Sequence, residues 1–321
     1  MRDLLAIALF VAVVAALLAT TGSGVMLNFV TMALYATLLA QAWNLLGGYG
    51  GQFSFGHALF FGTGAYAQAV AQLQGGLPAW VALPLAVVAA AAVAAFVGAL
   101  AFRYGLKGSY FALVTLAFAE VFRIVALQLP FTGAGVGLML PLQESAAALQ
   151  FASPRGYGFL VLGLVALALL ATAWLRHSRF GARLQAVRDN EDAARALGIA
   201  PARVKLGACV LSGAFMGAAG AFYVQLFQYI DPAIAFGPAT SVEALLGAIV
   251  GGMGTLWGPV LGALALHLLS EATRNLFGAL PGINMVIYGT VLVAIVMFMP
   301  RGIAGIGVSV RAAWRGRRGG G

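Results

Sequence analysis

The stretch "LLAIALFVAVVAALLA", residues 4–19, contains no charged side chain, and it is the first of many like it. About ten apolar segments follow one another, near 4–21, 26–46, 55–73, 78–102, 109–129, 157–175, 206–229, 240–252, 257–271 and 283–300. About 20 residues of helix cross a bilayer core. Inside lipid every backbone N–H and C=O must be paired within the protein, which leaves helices or a closed barrel. Ten-residue strands of alternating polarity, the signature of a barrel, are absent. The chain is therefore predicted to be all-α and polytopic, with about 8–10 transmembrane helices and re-entrant or broken segments among them. Only 8% of its residues are charged, against about 25% in soluble domains. Residues 1–310 read as a single transmembrane domain. The basic tail, 311–321, reads as disordered and lipid-facing.

Placement of the basic residues sets the expected orientation. Arg2, Arg103, Lys107, the seven Lys/Arg within 176–205 and the five within 301–318 fall on one side of the predicted topology. Arg155 and Arg274 fall on the other, and Arg123 lies within a span. Loops rich in Lys/Arg stay in the cytoplasm, so both termini are expected there, in a multi-pass protein of the inner membrane. The same clustering accounts for the net charge of +9 without nucleic acid as a partner. The N-terminus has the Arg, apolar core and small residues of a signal peptide. Its apolar run is near full spanning length and the topology requires it, so it is read as a retained first crossing. Segments 240–252 and 257–271 are short, and read either as two crossings or as one re-entrant hairpin. Asp231 and Pro232, after the seventh crossing, are expected at the outer mouth.

Two glycine-rich patches interrupt this pattern. The first, "NLLGGYGGQFSFGHALFFGTGAY" (44–66), holds seven glycines beside Gln52, Ser54 and His57. The second, "GGMGTLWGP", opens with Gly251, Gly252, Met253 and Gly254, an echo of Gly47, Gly48, Tyr49 and Gly50. Glycine lets membrane helices approach closely. It also permits irregular backbone, tolerated at membrane depth only against protein or a watery cavity. A tight turn at 47–51 is the simplest reading of the first patch. Gln52, Ser54, His57, Gly251, Gly252 and Gly254 are candidates for lining a path or its gate; packing alone is the competing reading. Among other polar groups, Glu120 and Arg123 are expected to pair at i, i+3. Glu243 is expected to cap its helix, and His267 to hydrogen-bond Glu271.

The loop 176–205 contains a short helix with its own punctuation. Asn190 is an N-cap, Glu191 and Asp192 place negative charge in the first turn, Gly198 suits the left-handed C-terminal position, and Pro201 follows as a stop. The helix should cover 191–197, including Ala193, Ala194, Arg195 and Leu197. A helix this short is marginal alone, and Ala193, Ala194 and Leu197 offer a small apolar stripe for a docking surface. Replacing Ala194 with Asp is expected to break that docking while leaving the chain folded.

A resemblance enters on these residues. "DAARALG" (192–198) resembles the acidic-Ala-Ala-x-x-x-Gly core of cytoplasmic loops in ABC importer permeases, although Pro201 comes too early for that family's downstream apolar-Pro element. Together "NLLGGYGGQFSFGHALFFGTGAY", "VRDNEDAARALGIAPARVKL" and "GGMGTLWGPVLGA" resemble the permease of branched-chain amino acid ABC transporters, over about residues 38–305. The resemblance implies a second, paralogous permease in a heterodimer, two cytoplasmic ATPase subunits docking on the 190–198 element, and a periplasmic or extracellular substrate-binding protein. It implies import of branched-chain or other apolar amino acids, with urea or short amides as the related alternative. The chain's two lysines, Lys107 and Lys205, do not follow the glycine pattern of a P-loop, so ATP hydrolysis is expected on a separate subunit and no cofactor on this one. His57, His177, His267 and Cys209 lack metal-ligand spacing. A secondary transporter would need carboxylates near mid-depth, and Glu120, Glu243 and Glu271 are expected near helix ends. No acid/base or nucleophile constellation marks an enzyme.

Overall fold

The computed structural model describes residues 2–143, 145–277, 286, 287, 289, 290, 293 and 302–304. Most of segment 283–300, the whole tail 311–321 and the side chain of Arg274 lie outside the described residues. The described chain is almost entirely helical: α1 (Arg2–Thr20), α2 (Gly24–Asn44), α3 (His57–Leu73), α4 (Ala79–Arg103), α5 (Gly108–Gln128), α6 (Pro154–His177), α7 (Arg179–Asp189), α8 (Glu191–Ala196), α9 (Pro201–Phe227), α10 (Pro232–Phe236), α11 (Pro238–Gly251) and α12 (Gly258–Phe277). Among the described residues, seven helical stretches are long and apolar enough to cross a membrane. The chain is an all-α polytopic membrane protein.

Small residues set the centre of the bundle. Ala82, Ala86, Ala90 and Ala94 recur every four residues along α4 and are all fully buried. Ala86, Ala90 and Ala94 meet Gly213 and Gly217 of α9, whose other side is pressed by α3, with Gly64 against the Gly217 backbone. Lipid supplies no hydrophobic drive between helices, so close backbone approach and the dispersion contacts it brings hold such an interface. A second layer forms as α2 packs against α6, α11 and α12. Helix α1 touches the bundle mainly through α6, with Leu4, Leu5, Leu9, Val13 and Leu17 turned outward.

The end of α2 departs from the expected tight turn. The helix loosens into a π-helical turn, Leu45–Tyr49, and the chain reverses at Gly50 and Gly51, where Gly51 has φ +64°. Residues 51–55 then run back along α2: Gln52 N–H donates to the Leu46 carbonyl at 3.2 Å, and Trp43 Nε1 donates to the Ser54 carbonyl at 2.9 Å. As a result α3 begins partway up the bundle, level with Ala42 and Ser212. Ser212 lies 11 residues into α9, about 17 Å from that helix's start at 1.5 Å per residue.

The second interrupted crossing is α10 and α11, broken at Gly237 and restarted by Pro238. It begins at Pro232, earlier than the expected 240, and Asp231 caps it by accepting the Ile234 N–H at 2.8 Å. Residues 252–257 then turn the chain into α12, which packs antiparallel to α11. At 20 residues α12 is about 30 Å long, enough for a crossing of its own. The stretch Pro232–Gly251 is among the seven long and apolar enough to cross a membrane; α12 matches that length and is less apolar.

Glu243 does not cap α11; Gly237 occupies that position, and Ser241 Oγ instead accepts the Ala58 N–H at the start of α3, at 2.8 Å. Arg123 meets Glu120 through two hydrogen bonds of 2.8 and 2.6 Å, as the spacing anticipates. His267 lies against Phe29, ring centroids 4.8 Å apart. At the end of the bundle holding Thr21, Arg155 donates to the Thr21 carbonyl, and a two-residue ladder pairs Leu138 with Ile230 and Met139 with Tyr229. The opposite end gathers the charges: Asp3 binds Arg176 and His177, and Glu191 binds Lys107 and Lys205.

Candidate functional site

At the charged end, α8 is built as its sequence suggests, in six residues. Asn190 is extended, and its Oδ1 accepts from Asp192 N–H at 3.1 Å and Ala193 N–H at 3.0 Å. Gly198 closes the helix at φ +81°, a conformation that costs glycine nothing extra. Pro201 does more than stop α8: it is the first residue of α9, where its missing N–H has no partner to lose.

Glu191 anchors α8 from beneath. Its carboxylate takes Lys205 Nζ at 2.7 Å, Lys107 Nζ at 3.3 Å and Arg195 at 3.1 Å. Partial burial disfavours its charge, but the two lysines outweigh that and hold the carboxyl below its ordinary range. Arg195 also bonds Asp192 at 2.9 Å. The apolar stripe divides in a way the sequence did not reveal. Ala194 is buried against the chain's own body, whereas Ala193 and Leu197 face away, Leu197 at 81% exposure. A charged residue at Ala194 would therefore damage this chain's packing, so the expected test at that position does not isolate docking; Leu197 does.

Helix α7, which sequence reading missed, lies just before α8. Ser178 Oγ caps it by accepting Gly181 N–H at 3.0 Å. It buries Gly181, Leu184 and Val187, and only Asn190 separates it from α8. Its signal is weak because Arg179, Arg183 and Arg188 make it look like a solvated basic loop. Arg188 is the residue that sequence reasoning passed over. Its Nη1 donates to the Gly48 carbonyl at 3.1 Å, and its Nε bonds Asp189 at 3.2 Å.

The two glycine patches converge at this point. Asn44 Oδ1 accepts the Gly254 N–H at 2.7 Å, and Asn44 Nδ2 donates to the Thr255 carbonyl at 3.0 Å. Gln41 Nε2 donates to the Leu256 carbonyl at 2.9 Å. Gly254 is left-handed at φ +74° and rests on Gly48. Gly251 packs on the start of α12 at Gly258 and Gly262, and Gly252 lies against Gly302. The irregular backbone of the 252–257 turn is thus satisfied by Gln41 and Asn44 of α2, as buried backbone must be.

Gln52, Ser54 and His57 form a separate, deeper group. All three are buried. Gln52 Nε2 reaches the Gly50 carbonyl at 3.2 Å, and Ser54 Oγ accepts the Gly56 N–H at 3.2 Å. His57 Nε2 lies 2.9 Å from Ser212 Oγ, which donates to the Ala42 carbonyl at 2.6 Å. These bonds tie α2, α3 and α9 together where α3 begins. Among the described residues no group of three His, Cys, Asp or Glu is placed to hold a metal ion, and the arrangement consists of a surface helix, a link from α7 to two glycine-rich turns, and a buried polar clasp.

Comparison with known proteins matches residues 25–296 to the family described as the branched-chain amino acid transport system, permease component. The high-affinity branched-chain amino acid transport system permease protein LivM of Salmonella typhimurium is 29% identical over 300 residues, covering 86% of this chain and 69% of the relative. LivM of Escherichia coli is 28% identical over the same shares. LivH of Escherichia coli, the permease protein of the same system, is 31% identical over 140 residues, 43% of this chain and 44% of the relative.

Proposed function

Because the chain belongs to the family of branched-chain amino acid transport system permease components, we propose that it forms half of the translocation path of an ATP-driven importer, paired with a second, paralogous permease. It is a multi-pass membrane permease and not an enzyme. The substrate is a branched-chain or other apolar amino acid, delivered by a binding protein on the outer side. ATP is hydrolysed on two separate cytoplasmic subunits, since Lys107 and Lys205 lack a P-loop context. The charged end of the bundle faces the cytoplasm, as its Arg/Lys content supports, with both termini on that side.

The observation that carries this reading is α8 itself. A six-residue helix is too short to hold its shape alone, yet this one is capped at both ends, pinned from below by Glu191 and Ala194, and presents Leu197 outward. A partner's groove would take that tip, and closure of two ATPase subunits would shift it and tip the permeases between outward- and inward-facing states. The test is purification of the tagged chain from the native membrane. The two ATPases and a second permease should accompany it, and the associated soluble binding protein should bind leucine, isoleucine or valine. A chain that purifies alone, and whose uptake stops with the proton gradient but not with loss of ATP, would overturn the proposal.

A further inference from the structure

Arg188 reaches from the charged loop to the reversal at the end of α2 and to the turn between α11 and α12. Besides its bond to the Gly48 carbonyl, its aliphatic stem covers Gly51: a Cβ there would lie 2.5 Å from Arg188 Cγ. Its guanidinium borders the third glycine, since a Cβ on Gly254 would stand 3.4 Å from Nη1. One turn earlier on the same face of α7, Leu184 sits beneath Gly50, 3.5 Å from where a Cβ would be. On the other side, Arg188 is two residues from the cap of α8. Gly51 leaves the space that the Arg188 stem fills and Gly254 the space beside its guanidinium, while the missing side chain of Gly48 makes room for Asn44 and the Gly254 backbone.

We propose that Arg188 is the positioning residue that transmits displacement of α8 to the two glycine-rich turns, by holding the reversal at 48–51 and the 252–257 turn to the end of α7. This rests on the reading of α8 as the ATPase docking element. Two features favour Arg188 over the Glu191 ion pairs as the link. Glu191 ties α8 to the ends of α5 and α9, which are continuous helices. Arg188 instead touches the segments whose backbone is free of regular helix, where a small displacement can change conformation without breaking a helical ladder. Its planar guanidinium offers a fork of donors, so one group can serve the Gly48 carbonyl and Asp189 together.

The experiment uses the assembled transporter in proteoliposomes, with uptake and ATP hydrolysis measured together, with and without substrate-loaded binding protein. Arg188→Gln should lower uptake per ATP by about tenfold, the size of a typical coupling between sites, and blunt the stimulation of hydrolysis by the binding protein. Arg188→Lys keeps a cationic donor and a long stem, and should recover part of both. Gly51→Ala, which presses on the Arg188 stem from the other side, should resemble Arg188→Gln. An unchanged ratio of uptake to hydrolysis in Arg188→Gln overturns the proposal. If that variant is missing from the membrane, an unchanged ratio in Gly51→Ala does so. Should Leu197→Asp uncouple the transporter while the Arg188 variants do not, the docking role of α8 stands and the relay through Arg188 fails. If neither affects coupling, the reading of α8 fails with it.

Discussion

Lys205 Nζ and the Glu191 carboxylate meet at 2.7 Å, and the lysine side chain is only 5% exposed. The pair joins α8 to the first turns of α9, and Lys205 also lies 5.9 Å over the Phe102 ring. A buried ammonium needs a counter-charge, because leaving one polar partner behind costs more than the pair itself contributes. Glu191→Gln should therefore destabilise the protein by about 1–3 kcal/mol. Lys205→Met, which removes the stranded charge as well, should restore part of that. Thermal melting of the purified protein in detergent would show it; equal melting temperatures for Glu191→Gln and wild type would contradict the ion pair's role.

The same carboxylate sets a pH dependence. Its folded-state pKa is depressed, so its contribution is present above the unfolded value of about 4.3 and is lost as pH falls through the lower folded value. The attachment of α8 should hold steady from about pH 5 to 8 and weaken only below about pH 4. Limited proteolysis of the 176–205 loop across that range would report it. A sharp change near pH 6 would point to another group.

Leu197 and Ala194 should separate docking from folding. Leu197→Asp changes an exposed tip and should leave the amount of folded permease in the membrane near wild type while abolishing ATP-driven uptake. Ala194→Asp buries a charge against the chain's own body and should lower the amount of folded protein. Membrane abundance and uptake, measured side by side, test the pair. Equal abundance for both would mean that Ala194 is not packed as described.

The clasp at the start of α3 should be structural as well as polar. Ser212→Ala removes the bond to the Ala42 carbonyl and leaves His57 Nε2 without its 2.9 Å partner. A loss of about 1–3 kcal/mol is expected from the stranded group. A melting temperature unchanged from wild type would count against it.

At the bundle centre, Gly217 has Ala90 of α4 on one side and Gly64 of α3 on the other. Gly217→Leu should force α4 and α3 away from α9 and prevent accumulation of folded chain, since overpacking costs about 1–3 kcal/mol even where neighbours yield, and here the neighbours are the Ala90 methyl and the Ala86 carbonyl, which cannot swing aside. Gly163, with open space around it, should tolerate the same change. Comparable abundance for the two variants would refute the close packing.

Much of this protein was written locally. Apolar runs of bilayer length determined that it is a helical membrane protein, because lipid allows only helices or closed barrels and the alternating strands of a barrel are absent. The cap residues Asn190 and Gly198 and the acidic first turn determined α8, because capping depends only on neighbours in sequence. Which face of α8 points outward was not local: Ala194 and Leu197 are alike to a pattern reader, and only the packing of α8 on its own chain separates them. The course of residues 50–56 was likewise decided in three dimensions, since glycine permits a turn, a π-helical loosening or a returning strand equally, and the Trp43 and Leu46 bonds chose among them. The meeting of the two glycine patches, 200 residues apart, and the reach of Arg188 to both are tertiary facts. No periodicity carries them, because they depend on where Gln41 and Asn44 of one helix find backbone from another.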